Sequence, residues 1–267
     1  VATVRVPVIG DRAAESAETF SLTVTPQAAI ASLIHRDTRS WTGVATINDN
    51  DIVIRGADGP DTLTGTAGDD RIEGLGGDDL LDGGAGNDLI LGGPGNDTLI
   101  GGPGDDTLDG GPGFDTVIGS PFADRIIGPD SGARIDGGGG NDTITGRGGN
   151  DTVIAGGGND VIIDSGGDNR IDLTGGGNNR ALTGGGNDTI IGGAGDDVIL
   201  AGRGGNNRID LRAGGDNRVF AGAGADTILG GAGSDVIRPG AGNDLVDLRA
   251  GGDNFVFNFR GDATILG

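Results

Sequence analysis

The chain has 267 residues, of which 61 are Gly and none is Cys, and its formal charge is −22, from 40 acidic side chains against 18 basic ones that are all Arg. An ordinary globular domain is about 7% Gly, so this is a Gly-built chain. So acidic a surface excludes nucleic acid and anionic membranes as partners and favours metal cations. With no disulfide to hold a secreted chain together, some other staple is needed. No apolar run approaches the ~18 residues of a transmembrane helix. The start at Val1-Ala2-Thr3, without Met or a leader, reads as a piece of a longer protein.

Residues 1–51 carry their own pattern. Val4, Val6 and Val8 alternate, as do Phe20, Leu22 and Val24, and both runs read as half-buried strands. Val44-Ala45-Thr46-Ile47 reads as a third. With Gly10-Asp11, Glu15, Glu18-Thr19-Phe20 and Ile47-Asn48-Asp49-Asn50-Asp51, the segment resembles the second half of a Calx-beta domain. That resemblance implies a partial immunoglobulin-like β-sandwich. Glu15, Glu18, Asp49 and Asp51 stand at the family's acidic positions. Half a sandwich buries little core, so loose order is expected here.

From Gly56 onward a nine-residue period takes over. Its clearest copy is Gly92-Gly93-Pro94-Gly95-Asn96-Asp97-Thr98-Leu99-Ile100, which reads G-G-x-G-x-D-x-U-x with U a large aliphatic. This pattern is a known calcium-binding β-helix repeat. It runs for 23 units to Leu266, with single-residue insertions at Leu173, Ala201, Leu211 and Leu248. The eighth position is Val, Ile or Leu in every unit except at Ala181. Disordered low-complexity sequence has no reason to keep such a column.

The spacing dictates an architecture. Positions seven to nine are β-prone, so the eighth points to one face and its neighbours to the other. The preceding Gly-rich residues form turns where left-handed backbone carries no steric cost. Turn, strand, turn, strand makes one coil of about 18 residues, and stacked coils make two parallel sheets around a thin aliphatic core. One buried aliphatic contributes about 1.5–3 kcal/mol, whereas ordering nine backbones costs roughly 9–18 kcal/mol. The core is therefore too thin to stand alone. Stacked Asp columns add repulsion. A divalent cation between turns reverses its sign, and carboxylates with turn carbonyls suit Ca²⁺. Metal binding and folding then become one event.

Residues 56–267 resemble the haemolysin-type repeats-in-toxin (RTX) β-roll of bacterial proteins exported by type I secretion. The resemblance implies an all-β, right-handed parallel β-solenoid, a secreted or extracellular location, and several Ca²⁺ ions. Each ion would lie between a turn and the next on the same edge, held by sixth-position Asp residues and turn carbonyls. Carried onto this sequence, the ligands are Asp61, Asp70, Asp79, Asp88, Asp97, Asp106, Asp115, Asp124, Asp142, Asp151, Asp160, Asp188, Asp197, Asp226, Asp235 and Asp244.

Seven units depart from the pattern. Ala133 and Ala263 cannot ligate by side chain, and Asn169, Asn179, Asn207, Asn217 and Asn254 are neutral. Arg170, Arg180, Arg208 and Arg218 follow four of these Asn. Asn169 to Asn207 and Asn179 to Asn217 are both 38 residues, or four units plus two insertions. The expected organisation is therefore a segment 1–51 and a roll over 52–267. Within the roll, 56–165 would be calcium-dense, and 164–267 would hold fewer or weaker ions with Arg supplying fixed positive charge.

Other signals are absorbed by the repeat. G-x-G-x-x-G matches lack the helix that a dinucleotide site needs. His35 is the only His, so neither a His triad nor a zinc site can form. Arg260-Gly261-Asp262 is an accident of composition. The carboxylates recur at every turn instead of gathering in one pocket, so no catalytic residue is assigned and any catalytic domain lies outside this chain. Leu89 and Leu91, Val161 and Ile163, Val198 and Leu200, and Phe255 and Phe257 should share one sheet face, which could dock a host-cell, glycan or protein surface. Three functions remain. The first is a calcium-dependent folding module of an adhesin-like surface protein. The second is the tail of an exported protease, lipase or polysaccharide-modifying enzyme. The third is a solenoid recognising ice or glycan, for which Thr98, Thr116 and Thr152 hint at a ladder that Arg134, Arg170 and Arg208 interrupt.

Overall fold

Each nonapeptide ends in an aliphatic-centred triplet, and each described triplet forms a strand, as at Thr98–Ile100 and Thr152–Ile154. Most strands stop at three residues because Gly-rich turn begins on either side. The structure, a computed structural model, describes residues 52–257 and 261–267. The sandwich segment expected over 1–51 lies outside the described residues.

Consecutive strands alternate between two 12-stranded sheets. One runs from Val53–Arg55 to Phe255–Val256, the other from Thr62–Thr64 to Thr264–Leu266. Pairing is parallel, with each strand bonded to its counterpart one coil away, as in Thr98↔Thr116 and Leu99↔Val117. The result is a parallel β-solenoid of about 12 coils. Among the described residues there is no helix, and so none able to cross a membrane.

The eighth-position side chains of both sheets fill the space between them. From Ile72 to Val246 that column is buried, and Ala181 is as fully enclosed as its larger counterparts. Insertions do not disturb the ladder. Val161↔Arg180 spans 19 residues and Val198↔Arg218 spans 20, yet eighth position still faces eighth position at Ile162↔Ala181 and Ile199↔Val219. The extra residues are taken up in the turns, where Gly176 N donates to Leu173 O and Gly214 N to Leu211 O.

Close stacking of turns favours Gly at the second place of several of them. Gly93 has φ 104°, and a Cβ there would strike the Leu75 carbonyl of the preceding coil. Leu75 itself occupies that place with φ 79°, an unfavourable conformation for a non-Gly residue.

The outer faces differ. On one sheet the seventh positions alternate as Thr116↔Arg134, Arg134↔Thr152, Thr152↔Arg170, Arg170↔Thr189 and Thr189↔Arg208. Arg170 and Arg208 pair with Asp172 (3.4 Å) and Asp210 (3.7 Å), two residues onward on the same face. The fixed positive charge of these Arg side chains lies on the sheet face, because a seventh-position side chain points outward from the strand. The other sheet carries Leu89, Leu91, Val161, Ile163, Val198 and Leu200, together with Phe255 and Phe257, whose rings meet edge-to-face at 4.1 Å.

Leu99 is fully buried and its neighbour Thr98 half-buried. Leu99→Ala should cost the surrounding coils about 2–5 kcal/mol of local stability, read by amide hydrogen exchange of the folded chain, while Thr98→Ala should cost much less.

Candidate metal centre

Apart from Ala133 and Ala263, sixth-position side chains enter turns whose backbone N–H groups lie one coil away. Asp79 Oδ1 accepts from Asp61 N (2.8 Å), Asp97 Oδ1 from Asp79 N (2.9 Å) and Asp115 Oδ1 from Asp97 N (2.9 Å). The other edge does the same through Asp88, Asp106, Asp124, Asp142 and Asp160. Asn keeps the ladder intact. Asn169 Oδ1 accepts from Asp151 N, Asn179 Oδ1 from Asp160 N, and Asn217 Oδ1 from Asp197 N. One oxygen of the sixth residue is thus structural, and Asp and Asn supply it equally.

The second atom separates them. Oδ2 is buried without a hydrogen-bond partner in Asp79, Asp88, Asp97, Asp106, Asp115, Asp142, Asp151, Asp160, Asp188, Asp226 and Asp244. In the other five expected ligands it meets a backbone N–H. These are Asp61 with Ala57 N, Asp70 with Thr66 N, Asp124 with Ser120 N, Asp197 with Gly193 N and Asp235 with Gly231 N. A buried, unpaired anionic oxygen is costly and demands a cation or a proton. Burial pushes Asp97 and Asp226 up to about 6, and Asp106 and Asp142 up to about 7, with neighbouring carboxylates adding to the rise.

The first position of each turn completes the setting. A Cβ placed on Gly56 would lie 2.5 Å from Gly74 O and against Asp61 Oδ2. At Gly83 it would lie 2.5 Å from Gly101 O and against Asp88 Oδ2, and at Gly92 the same distance from Gly110 O and against Asp97 Oδ2. The absent side chain leaves a cradle where one carboxylate oxygen and one carbonyl of the next coil converge. Hard oxygen donors around such a point suit Ca²⁺. Among the described residues no three acidic or His side chains gather, so a cation here relies on backbone carbonyls for the rest of its shell.

Beyond Gly146 this cradle changes. The first place becomes Ala155, Asp164, Leu173, Thr183, Ala201, Leu211, Ala221, Pro239 and Leu248, with Gly only at 192 and 230. Even there an aliphatic intrudes. Leu211 Cδ2 lies 3.2 Å from the Cβ point of Gly192, and Leu248 Cδ2 lies 2.8 Å from that of Gly230. All five Asn turns open on a non-Gly residue, and four of them open on an inserted one. Their Nδ2 turns inward as a donor. Asn179 reaches Gly176 O (3.2 Å), Asn217 reaches Gly214 O (3.0 Å) and Gly215 O (3.1 Å), and Asn254 reaches Gly251 O (2.8 Å). In these turns an amide N–H satisfies carbonyls of its own turn. The insertions, which look like slips of the repeat in sequence, are the opening residues of a second, ten-residue turn type.

Residues 55–90, 83–117, 109–128, 130–162, 145–176, 173–207 and 212–246 match the model of the RTX calcium-binding nonapeptide repeat. The chain belongs to this family. RTX repeats thus account for most of the described solenoid, and the orphaned Oδ2 atoms fit the calcium that gives the family its description. No curated protein matches the chain. Among solved structures it is similar to a hyperactive, Ca²⁺-dependent, β-helical antifreeze protein from an Antarctic bacterium. That likeness covers 79% of this chain and 83% of the other, with 20% identity and a TM-score of 0.38.

Two outcomes follow for solution behaviour. A carboxyl whose pKa is raised by folding adds stability below its unfolded pKa and loses it as pH rises through the folded value. For Asp97, Asp106, Asp142 and Asp226 the window runs from the ordinary 3.8 to about 6 or 7. In chelator the β-signal in circular dichroism should therefore grow as pH falls from 8 towards 5. Asn217→Asp would set an oxygen against Gly214 O and Gly215 O, costing about 1–3 kcal/mol. Calcium should not restore the loss in melting temperature, because Leu211 opens that turn.

Proposed function

We propose that this chain is a calcium-dependent folding module of a secreted bacterial surface or adhesin-like protein, with no chemistry of its own. The observation that carries this reading is the row of buried, unpartnered Oδ2 atoms in the first half of the roll, at Asp79, Asp88, Asp97, Asp106, Asp115, Asp142 and Asp151. Several charges held this way destabilise the fold until a cation neutralises them, so binding energy becomes folding energy. Such a chain stays open at low cytosolic calcium and closes where calcium is abundant. Export through a type I system is what the resemblance implies, and the absence of Cys suits a staple made of ions.

The two halves play different parts in this reading. Residues 56–165 hold the calcium-dense coils. Residues 164–267 lean on Asn amides, plugged cradles and fewer unpartnered oxygens, and so hold fewer or weaker ions. The apolar rows at Leu89, Leu91, Val161, Ile163, Val198 and Leu200 support a docking role for one face towards a host-cell, glycan or protein surface. As a tail of an exported enzyme the same module would serve the same folding purpose. A face built for ice or glycan fits less well, since Arg134, Arg170 and Arg208 break the Thr ladder.

Far-UV circular dichroism of the full chain at pH 7.5 should show little β-signal in chelator and a cooperative gain on adding Ca²⁺. Limited proteolysis in chelator should cut first within 56–163 and spare 183–257. Full β-signal in chelator, unchanged by calcium, would sink the folding role. Even cutting along the roll would sink the division into halves.

A further inference from the structure

The turn between Gly146 and Asp164 differs from all others in the roll. Gly146 is the last first-position Gly free of an intruding aliphatic. In earlier turns, as at Gly56, Gly83, Gly92, Gly119 and Gly137, the cradle is lined by one sixth-position Oδ2 and by the first-position carbonyl of the next coil. At Gly146 that carbonyl is replaced by a side chain. A Cβ on Gly146 would lie 2.8 Å from Asp151 Oδ2 and against Asp164 Oδ2, so both oxygens converge on one point. Asp164 stands where the repeat has Gly, and Asn169, five residues on, stands where it has Asp. The negative charge of this turn has moved from its sixth place to its first.

Both carboxylates are held for this arrangement. Asp151 Oδ1 accepts from Ala133 N (2.6 Å), and Asp164 Oδ1 accepts from Gly166 N (3.0 Å). That leaves the two Oδ2 atoms, which are buried with no N–H or O–H donor and lie close enough to each other to share a proton in place of a cation. Asp151 is 1% and Asp164 5% exposed, so water does not solvate either charge. Asn169 cannot compete for the point, because its Oδ1 takes Asp151 N and its Nδ2 donates to Gly167 O. Arg147, the charged neighbour in sequence, directs its guanidinium towards Asp109 at 4.0 Å. Two anionic oxygens aimed at one dry point need a charge between them.

We propose that Asp151 and Asp164 form a distinct divalent-cation site, with Asp164 as a ligand that the nonapeptide pattern does not contain. The inference rests on the calcium reading of the roll, but concerns one added carboxylate at the border of its two halves. Two carboxylates instead of one carboxylate and one carbonyl give the ion a stronger partner, so this site should fill first as calcium rises. It would then order the last open cradle directly against the coils built on Asn turns.

Calorimetric titration of the full chain with CaCl₂ at pH 7.5 tests this, using Asp164→Asn and Asp164→Gly, the latter restoring the repeat residue. Removing a ligand should weaken binding at least as much as removing a supporting residue does, about 10–100-fold. The tightest ion should therefore weaken by at least about 10-fold in both variants, while Asp97→Asn leaves it in place and affects a later one. A tightest ion unchanged in both Asp164 variants, in a wild type that binds calcium, overturns the site and leaves the calcium reading standing. No calcium uptake by the wild type overturns both. If the variants fail to fold, a calcium-loaded crystal structure of the wild type decides. An ion bridging the two Oδ2 atoms is expected, and a carboxyl–carboxylate hydrogen bond in its place refutes the proposal.

Discussion

The whole solenoid hangs on one hydrogen bond repeated coil after coil, from the backbone N–H of a sixth residue to the Oδ1 of the sixth residue one coil on. It ties each turn to the next along both edges, much as the strand ladders tie the flat faces. It also forces a short acidic side chain into the interior, where in eleven of the sixteen Asp turns only one of its oxygens has a partner. Everything distinctive about the molecule follows from how the other atom is dealt with. A carboxylate leaves it as a naked anion awaiting charge. An asparagine makes it a donor that closes on its own turn, at Gly176, Gly214 and Gly251.

The first position of the turn decides which solution is open. Where it is Gly, no side chain stands between the orphaned oxygen and the next carbonyl. Where it is Leu, as at 173, 211 and 248, the turn gains a residue, closes with its own backbone hydrogen bond and pairs with Asn at its end. An inserted opening residue is thus always followed by Asn six residues on, whereas Ala155, Thr183, Ala221 and Pro239 still precede Asp.

Much of this was legible in the residues. The period of nine, the aliphatic column and the β-prone triplets led directly to two parallel sheets, about 18 residues per coil and a core running from Ile72 to Val246. The 38-residue recurrence of the Asn turns was legible too. What the pattern could not convey was which carboxylate oxygens find a backbone N–H, since Asp124 and Asp97 hold the same place in the repeat, yet Ser120 N reaches Asp124 Oδ2 while Asp97 Oδ2, in a turn with Gly93 at that place, has no partner. The roles of Leu211 and Asp164 were hidden for a related reason. A one-dimensional repeat marks them as an extra letter and a substitution, and only the stacking of coils shows that both reach into the turn before them. The place of Arg170 and Arg208 on the outer face was legible as well, because side-chain direction in a strand depends on parity.

That parity also sets how such a chain can change in length. Because consecutive units belong to opposite sheets, losing nine residues would carry every later strand across to the other side. The Thr and Arg rows would swap with the apolar rows, and each turn would move to the opposite edge. Losing a full coil would keep the faces but would bring two Asn turns, or two Asp turns, into register. Only a block of two coils, 38 residues where both insertions are included, restores sheet, face and turn type at once. In the part of the roll built on Asn turns, the segment that restores sheet, face and turn type together is therefore about four times as long as the nonapeptide.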